Sequence, residues 1–471
     1  MFVSGSSAFG YPAGVTQVSE PALGDAVARE RVVERAELVA DTAEAPDDAS
    51  PSPLASCFAL RFVAVYFALY VFPFPLTYVP VVGAAARGLG RVWDPIVPWV
   101  GAHVLRLAEP ITIKPAGSGD TTWNYVQLVV LAALATLLAA VWTWADRRRR
   151  AGWIGSWLWI AVRYYLAFTM FTYGFAKVFK TQFPFPLLER LSQPLGEASP
   201  MGLLWTMMGY SRAYNLFTGG VEVLGGAVLL FRRTATLGAL VALAAMANVA
   251  MLNFAYDVPV KLYSMHLLLM AAGVAWPARR RLLSFLVLNR PALAADLTPP
   301  VAPGRWNRVR LAVKTLLVGA VVLQMVIGGW RGARRWGDLR EKPPLYGIWE
   351  VERFVADGRE LPPLLTDGER WRYLIVDRDG FVSIRATNGA VTRHAFEVDP
   401  EARSMGFATF QDRETKHVVS YRELEGDGDR LRIEGELFGR VLEVDLVRKD
   451  AADYLLVDRG FHWINEVPFN R

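Results

Sequence analysis

Residues 235–255 read ATLGALVALAAMANVAMLNFA, a run of 21 residues without an Asp, Glu, Lys, Arg or His. An α-helix needs about 20 predominantly apolar residues to cross the hydrocarbon core of a bilayer. The run therefore predicts a membrane-spanning helix. The mean hydropathy of the whole chain, +0.23, also indicates an integral membrane protein.

Six further apolar runs of similar length lie on either side of this one, so the sequence predicts a membrane bundle of seven helices. They are Leu54–Phe72, Asn124–Trp144, Ile154–Ala176, Tyr214–Phe231, Val260–Trp276 and Leu311–Trp330. The stretch Val92–Leu107 is also apolar but contains His103 and Arg106. At about 16 residues it is too short to span easily and predicts an interfacial or re-entrant segment.

The net charge of +6 is distributed unevenly along the 471 residues. Residues 1–53 carry 3 basic and 9 acidic side chains (net −6), residues 54–340 carry 29 and 10 (net +19), and residues 341–471 carry 19 and 26 (net −7). The basic excess thus lies in the apolar region, which argues against a nucleic-acid binder. Residues 1–53 have no sustained apolar run and predict a disordered acidic tail without a cleavable signal pattern.

The arginines predict the orientation of the bundle in the cytoplasmic (inner) membrane, because cytoplasmic loops are enriched in Lys and Arg. Basic residues follow the second, fourth and sixth spans: Arg147–Arg150, Arg232, Arg233, Arg279–Arg281, Arg290, Arg305, Arg308 and Arg310. This pattern puts the N-terminus inside and the C-terminal domain on the periplasmic or extracellular side. Four arginines after the seventh span oppose the rule: Arg331, Arg334, Arg335 and Arg340.

Residues 345–471 predict an antiparallel β-barrel, since short alternating segments are separated by turn residues. The predicted strands are Trp371–Asp377, Phe381–Ala386, Val391–Val398, Met405–Phe410, Val418–Leu424, Leu431–Leu437, Val441–Val447 and one around Trp349. Gly347-Ile348-Trp349 resembles the Gly-x-Trp opening of lipocalin-type barrels. The predicted fold is therefore a membrane all-α bundle followed by an all-β barrel.

Ionisable side chains within the spans are candidates for function, because they are costly in a bilayer and usually face a bundle interior. Arg163 and Glu222 lie about nine residues from the cytoplasmic ends of their spans, and His266 about eleven. We expect a buried Arg163–Glu222 pair beside His266. The pair either belongs to a site for a polar head group, a quinone or a proton relay, or only holds the helices together. Small residues in the fourth span favour close helix contact. They are Gly219, Gly220, Gly225 and Gly226.

A second set of charged residues gathers at the opposite membrane face. Lys177 ends the third span, while Asp257 and Lys261 lie in the turn between the fifth and sixth. These three could hold an anionic or redox-active ligand at the mouth of the bundle. The alternative is that the lysines snorkel to the interface and Asp257 caps the sixth helix.

Three strings in residues 154–277 resemble the DoxX-like membrane proteins, which have a four-helix unit. They are Tyr173-Gly174-x-x-Lys177-x-Phe179-x-x-Gln182-Phe183-Pro184, Pro200-Met201-Gly202-Leu203-Leu204-Trp205, and Asn248-x-x-Met251-Leu252-Asn253-Phe254-x-Tyr256-Asp257-Val258-Pro259-Val260-Lys261-Leu262-Tyr263-Ser264-x-His266. Some relatives are subunits of thiosulfate:quinone oxidoreductase. The Gly-x-x-Lys is also similar to the membrane domain of vitamin K-dependent carboxylases, where a lysine acts in quinol-linked chemistry.

The resemblance implies membrane-associated redox chemistry with a quinone or similar lipophilic ligand, in which the chain is a quinone-linked oxidoreductase component. The candidate catalytic residues are Lys177, His266 and Asp257. The candidate ligand-binding residues are Arg163, Glu222, Asn248, Asn253, Tyr256, Lys261 and Gln182. The expected partners are the lipid bilayer and a membrane-protein or electron-transfer partner.

Two other functions are compatible with the sequence. In one, the bundle anchors a barrel that holds a hydrophobic ligand or partner protein without catalysis. A transporter is disfavoured, because no inverted repeat or pair of broken helices is recognisable. No metal site is predicted: Cys57 is the single cysteine, and His462 and Glu466 have no third ligand nearby. Phe461 and Trp463 are expected to plug one end of the barrel or to press it onto the membrane.

Overall fold

The computed structural model describes residues 54–79, 82–113, 117–146, 152–292, 294–295, 297, 304–424 and 428–470. The predicted tail 1–53 and the arginines 147–150 lie outside the described residues. Helices fill the first part of the chain. They are α1 (Leu54–Val71), α2 (Val82–Leu89), α3 (Trp93–His103), α4 (Thr122–Ala145), α5 (Gly152–Val178), α6 (Leu188–Leu191), α7 (Pro200–Tyr210), α8 (Arg212–Leu229), α9 (Ala235–Ala255), α10 (Lys261–Ala275), α11 (Arg279–Leu282) and α12 (Asn307–Arg335).

Among the residues that the structure describes, four helical segments are long and apolar enough to cross a membrane: Leu54–Tyr78, which contains α1, and helices α4, α9 and α12. The prediction of seven spans is therefore not supported, although each predicted span does form a helix. The reason is composition and length. Helix α5 carries Arg163 and Lys177, helix α8 carries Glu222, and helix α10 has only 15 residues. Helix α3, with 11 residues, agrees with the predicted non-spanning segment.

Helices α5, α8, α9 and α10 form one packed unit, in which α5 contacts α8 and α10, and α9 contacts α8 and α10. Its core consists of apolar side chains of all four helices, including Leu166, Met170, Leu229, Met246 and Met270. Helix α1 packs on α4 and on α5, while α12 lies against α5. The polar helices α5, α8 and α10 thus share the centre with α9, and the apolar helices α1, α4 and α12 surround them.

The predicted barrel is confirmed as a closed, antiparallel sheet. Its strands are β1 (Gly347–Ala356), β2 (Arg359–Glu360), β3 (Trp371–Arg378), β4 (Phe381–Ala386), β5 (Val391–Asp399), β6 (Ser404–Ala408), β7 (His417–Glu423), β8 (Arg430–Leu437) and β9 (Arg440–Lys449). Strands β1 and β3 to β9 pair in sequence, and β1 pairs with β9 to close eight strands, with β2 as a short extension of β1. Closure leaves no long unpaired edge.

The interior of the barrel is filled by its own side chains. All eight strands contribute to one apolar core, with Trp349, Phe354, Phe396 and Phe407 among its largest members. Trp349, which is 2% exposed, donates a hydrogen bond from Nε1 to the carbonyl oxygen of Leu345. Large aromatic side chains bury much apolar area, so this core stabilises the barrel as a folded domain.

The barrel contacts the helical part through the outer face of β1, β3, β4 and β5. Leu188 of α6 packs against Ile348, Tyr373 and Ile375. Asp377 accepts a hydrogen bond from the backbone N–H of Leu188 at 3.1 Å and one from Arg340 Nη2 at 2.7 Å. Apolar packing and buried hydrogen bonds together hold the barrel against α6, in the segment that follows α5.

Glu189 supplies the second polar contact of this interface. Its carboxylate accepts hydrogen bonds from the Ser383 hydroxyl and from Arg393, whose Nε lies 3.1 Å away. Burial alone would raise the pKa of Glu189, but the bonds from Arg393 and Ser383 outweigh it and hold the pKa below the ordinary value of 4.5. Ionised Glu189 therefore stabilises the folded protein above pH 4.5, and this contribution disappears as the pH falls through the folded-state pKa.

We expect Glu189→Gln to lower the melting temperature of the purified protein at neutral pH, because the neutral amide loses the charge-assisted bonds to Arg393. The difference between wild type and variant should vanish in acid, where the wild-type carboxyl is protonated too. Scanning calorimetry over a series of pH values measures it. A difference that stays constant down to the most acidic pH would show that the charge of Glu189 does not stabilise this interface.

Candidate functional site: a cavity beside a buried ion pair

Helices α5 and α8 approach each other at the level of two glycines. A Cβ on Gly174 would lie 2.9 Å from the carbonyl oxygen of Gly219, and a Cβ on Gly219 would lie 2.7 Å from the carbonyl oxygen of Gly174. These distances are shorter than a Cβ tolerates, so only glycine allows the two backbones to come this close. The predicted role of Gly219 in close helix contact is confirmed.

The close approach brings Lys177 of α5 onto Glu222 of α8. Lys177 Nζ lies 2.7 Å from Glu222 Oε2 and 2.9 Å from Oε1. Lys177 is 6% exposed and Glu222 2% exposed. Each charge neutralises the other, because an unpaired charge in such a place would be strongly unfavourable.

This pair corrects the predicted one. Glu222 binds Lys177. Arg163 lies closer to the N-terminus of α5, and its guanidinium carbon is 5.3 Å from the ring centroid of Tyr164. Lys177 is therefore not a snorkelling residue at the surface but a buried partner in an ion pair. The prediction placed the right glutamate in the interior and gave it the wrong cation.

A cavity of about 90 Å³ adjoins the ion pair. Its walls are mainly apolar and aromatic and come from α5, the loop after it, α7, α8, α9 and α10. The lining residues are Tyr173, Lys177, Gln182, Phe183, Leu204, Trp205, Met208, Glu222, Met246, Val249, Leu252, Asn253, Val258, Val260, Tyr263, Ser264 and Leu267. An apolar pocket with a few convergent polar groups is typical of a site for a small molecule.

One polar atom in the cavity wall lacks a partner. Gln182 Oε1 is buried and accepts no hydrogen bond from the part of the chain that the structure describes. Buried acceptors are nearly always satisfied, so an unsatisfied one in a pocket indicates a missing donor. Water, or a bound molecule that carries a hydroxyl or an N–H group, can supply this donor.

Four of the predicted site residues line the cavity: Lys177, Gln182, Glu222 and Asn253. Asn253 is 5% exposed and donates from Nδ2 to the carbonyl oxygen of Val260 at 3.5 Å. Prediction from the sequence missed Trp205, Phe183, Tyr263 and Ser264 as site residues. All four lie within the three sequence strings quoted above, which are rich in aromatic residues and are the signal that could have identified them.

His266 lies in a separate cluster with α1. Its Nδ1 is 2.7 Å from the carbonyl oxygen of Leu262, which can only accept, so Nδ1 carries the proton. Nε2 then accepts the hydroxyl proton of Tyr66 at 2.8 Å, and the imidazole stacks on Tyr70 with ring centroids 4.1 Å apart. The predicted position beside Arg163 and Glu222 is wrong, because helix α1 supplies the partners of His266.

The predicted convergence of Lys177 with Asp257 and Lys261 is also wrong. Lys261 pairs with Asp257 at 2.7 Å, and the Asp257 side chain is 85% exposed. The cap of α10 comes from Asp120 instead, whose carboxylate accepts the backbone N–H groups of Lys261 and Leu262 at 2.7 and 2.9 Å.

The other predicted residues do not line the cavity. Asn248 is exposed on α9, and half-buried Tyr256 packs beside the apolar cluster of Phe183, Leu204, Met208 and Val258. Phe461 and Trp463 do not plug the barrel, because they are 78% and 91% exposed. Within the described ranges, no three His, Cys, Asp or Glu side chains come together as a metal site.

The chemical properties of the site follow from these contacts. An ammonium group, a carboxylate and an unsatisfied amide oxygen face a small apolar space, while Phe183 and Trp205 pack edge to face with ring centroids 5.0 Å apart in its wall. Such a space suits an apolar ring that carries oxygen substituents. Lys177 Nζ can donate to a carbonyl oxygen, and Gln182 Oε1 can accept from a hydroxyl.

No family model matches the chain, and no solved structure matches it. A stretch of 121 residues, 25% of this chain, is 36% identical to the Uncharacterized protein YwoB of Bacillus subtilis (strain 168) and covers 75% of that protein. This identity and coverage show common ancestry over that stretch. The chain therefore belongs to the same family as YwoB.

Proposed function

We propose that this protein is a DoxX-like membrane protein whose cavity binds a quinone or a related lipophilic molecule, as a component of membrane-associated redox chemistry. The observation that supports the proposal best is the unsatisfied Gln182 Oε1 beside the Lys177–Glu222 pair in an apolar cavity. The hydroxyl of a quinol can donate the hydrogen bond that Gln182 Oε1 does not receive from the described residues, and the carbonyl of a quinone can accept one from Lys177 Nζ.

In this function the chain binds the head group and supplies protons, and a membrane-protein or electron-transfer partner supplies electrons. Reduction of a quinone to a quinol takes two electrons and two protons. Lys177 Nζ donates a hydrogen bond to one quinone oxygen and can transfer one proton to it as the two electrons arrive. Lys177 then regains a proton from water, the carboxylate of Glu222 at 2.7 Å favours its return to the ammonium form, and water supplies the second proton. Gln182 accepts the hydroxyl of the product. Tyr173 and Tyr263 in the wall restrict the head group to this orientation.

We also propose that all seven predicted spans lie in the bilayer, with α5, α8 and α10 shielded by α1, α4, α9 and α12. Lys177 and Glu222 neutralise each other, which lowers the penalty of burying them in the bilayer, and the guanidinium of Arg163 lies over the ring of Tyr164. Arginines 232, 233 and 279–281 then mark the cytoplasmic side, and the barrel lies outside.

The alternative is a non-catalytic module whose barrel binds a partner protein. A hydrophobic ligand within the barrel is disfavoured, because apolar side chains of all eight closed strands fill its interior. The charged outer surface of the barrel would then contact the partner. Deleting residues 345–471 abolishes cellular function if this alternative holds, whereas the quinone proposal expects partial loss.

Binding of a short-chain ubiquinone analogue to the purified protein tests the proposal. We expect Gln182→Leu to weaken binding about fivefold to tenfold, because one hydrogen bond to the ligand is lost. Asn248→Leu is the matched control, since Asn248 is exposed on α9 outside the cavity, and its affinity should equal that of wild type. Isothermal titration calorimetry in detergent measures both. Equal affinities of the two variants, or no binding to wild type, would contradict the proposal.

A further inference from the structure

A second cavity lies on the outside of the bundle, between α5 and α12. Its volume is about 340 Å³, and its walls are Phe175 and Ala176 of α5 and the helical surface from Met325 to Gly332 of α12. Gly328 and Gly329 lie in this wall. A Cβ on Gly328 would meet no atom within 4 Å, whereas Gly329 packs closely against the ring of Phe179. Gly328 therefore leaves a narrow apolar groove along a helix that is apolar enough to cross the membrane.

The groove continues into a basic one. The neighbouring cavity, of about 760 Å³, lies between the end of α12 and the barrel and shares Arg335 and Trp336 with the first. Its other charged residues are Arg334, Arg340, Glu341, Arg378 and Asp379. An apolar groove that opens onto arginines therefore runs from the bundle to the base of the barrel.

Most of these arginines have no carboxylate partner. Arg340 binds Asp377 at 2.7 Å. Among the ion pairs of the described residues, none includes Arg331, Arg334, Arg335 or Arg378. Arg334, Arg335 and Arg378 of the basic groove thus outnumber its carboxylates Glu341 and Asp379. Arg331 adds a further positive charge in the adjoining apolar groove.

Tryptophans mark the level of the groove in the membrane. Trp330 is 46% exposed under Arg334, and Trp336 is 55% exposed under Arg335, with the guanidinium groups 5.0 and 4.9 Å from the ring centroids. Exposed tryptophans are enriched at the level of the lipid head groups. The arginines therefore lie where phosphates of the bilayer lie, and the glycine-lined groove lies where acyl chains lie.

We propose that the two connected grooves bind one anionic phospholipid, with an acyl chain along Gly328 and Phe175 and the phosphate among Arg331, Arg335 and Arg378. Guanidinium groups bind phosphate oxygens with paired hydrogen bonds. This site explains two of the four arginines that oppose the predicted orientation: Arg331 and Arg335 bind the lipid head group, while Arg340 pairs with Asp377. It is independent of the quinone cavity, because the two cavities share no lining residue.

The groove offers a substitution that blocks it without disturbing the protein. A Cβ on Gly328 meets no atom within 4 Å, so Gly328→Leu extends into the empty groove. Gly319, on the same helix, also has nothing within 4 Å of its Cβ and does not line the groove, so Gly319→Leu is its control. For the charges, Arg331→Gln with Arg335→Gln is compared with Arg413→Gln, whose arginine lies over Phe410 on the barrel.

Native mass spectrometry of the full-length protein, titrated with phosphatidylglycerol and with phosphatidylcholine, tests the proposal. Wild type should bind phosphatidylglycerol more tightly. The double arginine variant should lose about 25-fold in affinity for it, about fivefold per arginine, and little for phosphatidylcholine. Gly328→Leu should lower the affinity for both lipids, and the two control variants should bind both lipids as wild type does.

Equal binding of the two lipids by wild type would overturn the proposal. The proposal would also be overturned if Gly328→Leu bound phosphatidylglycerol as tightly as wild type and inorganic phosphate displaced that lipid completely. Those two results together would show that the site binds a free anion. Far-ultraviolet circular dichroism confirms that each variant is folded. If Gly328→Leu is misfolded, the double arginine variant alone decides, and unchanged affinity there contradicts the site.

Discussion

Lys177→Met should destabilise the folded protein by about 3–5 kcal/mol, the usual cost of removing one partner from a buried ion pair. The large effect follows from the burial of both groups, because Glu222 is 2% exposed and accepts two hydrogen bonds from Lys177. Methionine keeps the length of the side chain but leaves the carboxylate unpaired. Denaturant unfolding in detergent, followed by circular dichroism, measures the change.

Two further variants show whether the loss of stability in Lys177→Met comes from the unpaired charge of Glu222. Lys177→Met with Glu222→Leu removes both charges and should recover most of the lost stability, since well-packed apolar residues replace buried pairs at little cost. Lys261→Met removes a lysine whose partner Asp257 is 85% exposed and should destabilise the protein much less than Lys177→Met does. A double variant as unstable as the single one would mean that Lys177 stabilises through packing alone.

Gly219→Ala should be the next most damaging substitution, at about 1–3 kcal/mol. The new Cβ would lie 2.7 Å from the carbonyl oxygen of Gly174 and 2.9 Å from Lys177 Cβ, so α5 and α8 must separate. The loss occurs even though alanine favours a helix over glycine by about 1 kcal/mol. Separation of the helices also lengthens the Lys177–Glu222 pair, so affinity for the quinone analogue should fall as well.

Gly220 provides the matched control on the same helix. Its Cβ would meet no atom within 4 Å, so Gly220→Ala gains helix propensity without a clash and should leave stability unchanged or slightly increased. Unfolding of the two variants under the same conditions compares them. Equal stabilities would show that the close approach of the helices does not matter for folding.

The barrel could be predicted strand by strand because its pattern is local. A strand alternates between core and solvent with a period of two, and turn residues such as Arg378-Asp379-Gly380 end it. The alternating pattern does not show which strand lies next to which. In an antiparallel barrel, however, strands that are consecutive in sequence usually pair, so the strand order can be predicted as well.

The ion pair could not be predicted by depth alone. Contacts of Gly226 with Ala167 and of Gly219 with Gly174 show that α5 and α8 are antiparallel and place Glu222 well above Arg163. Counting from the ends of the apolar runs assumed that both helices end at one level. Side chains also tilt toward the N-terminus of their helix, so Lys177 and Glu222 lean toward each other.

Contacts from distant segments left no trace in the local sequence. Tyr66 and Tyr70 of α1 hold His266, and Asp120, in the loop before α4, caps α10. Both contacts join residues more than a hundred positions apart. A cap is expected from the residues just before a helix, which is why Asp257 was the natural candidate.

Photo-crosslinking with an azidoquinone tests the binding of a quinone in the cavity most directly. Membranes that contain the full-length protein are irradiated with the probe, and labelled peptides are identified by mass spectrometry. Labels on cavity residues such as Tyr173, Trp205 and Tyr263, competed by unlabelled quinone and reduced in Gln182→Leu, are the expected result. Labels confined to the lipid-facing surfaces of α4 and α12, unaffected by competitor, would contradict quinone binding at the Lys177–Glu222 pair.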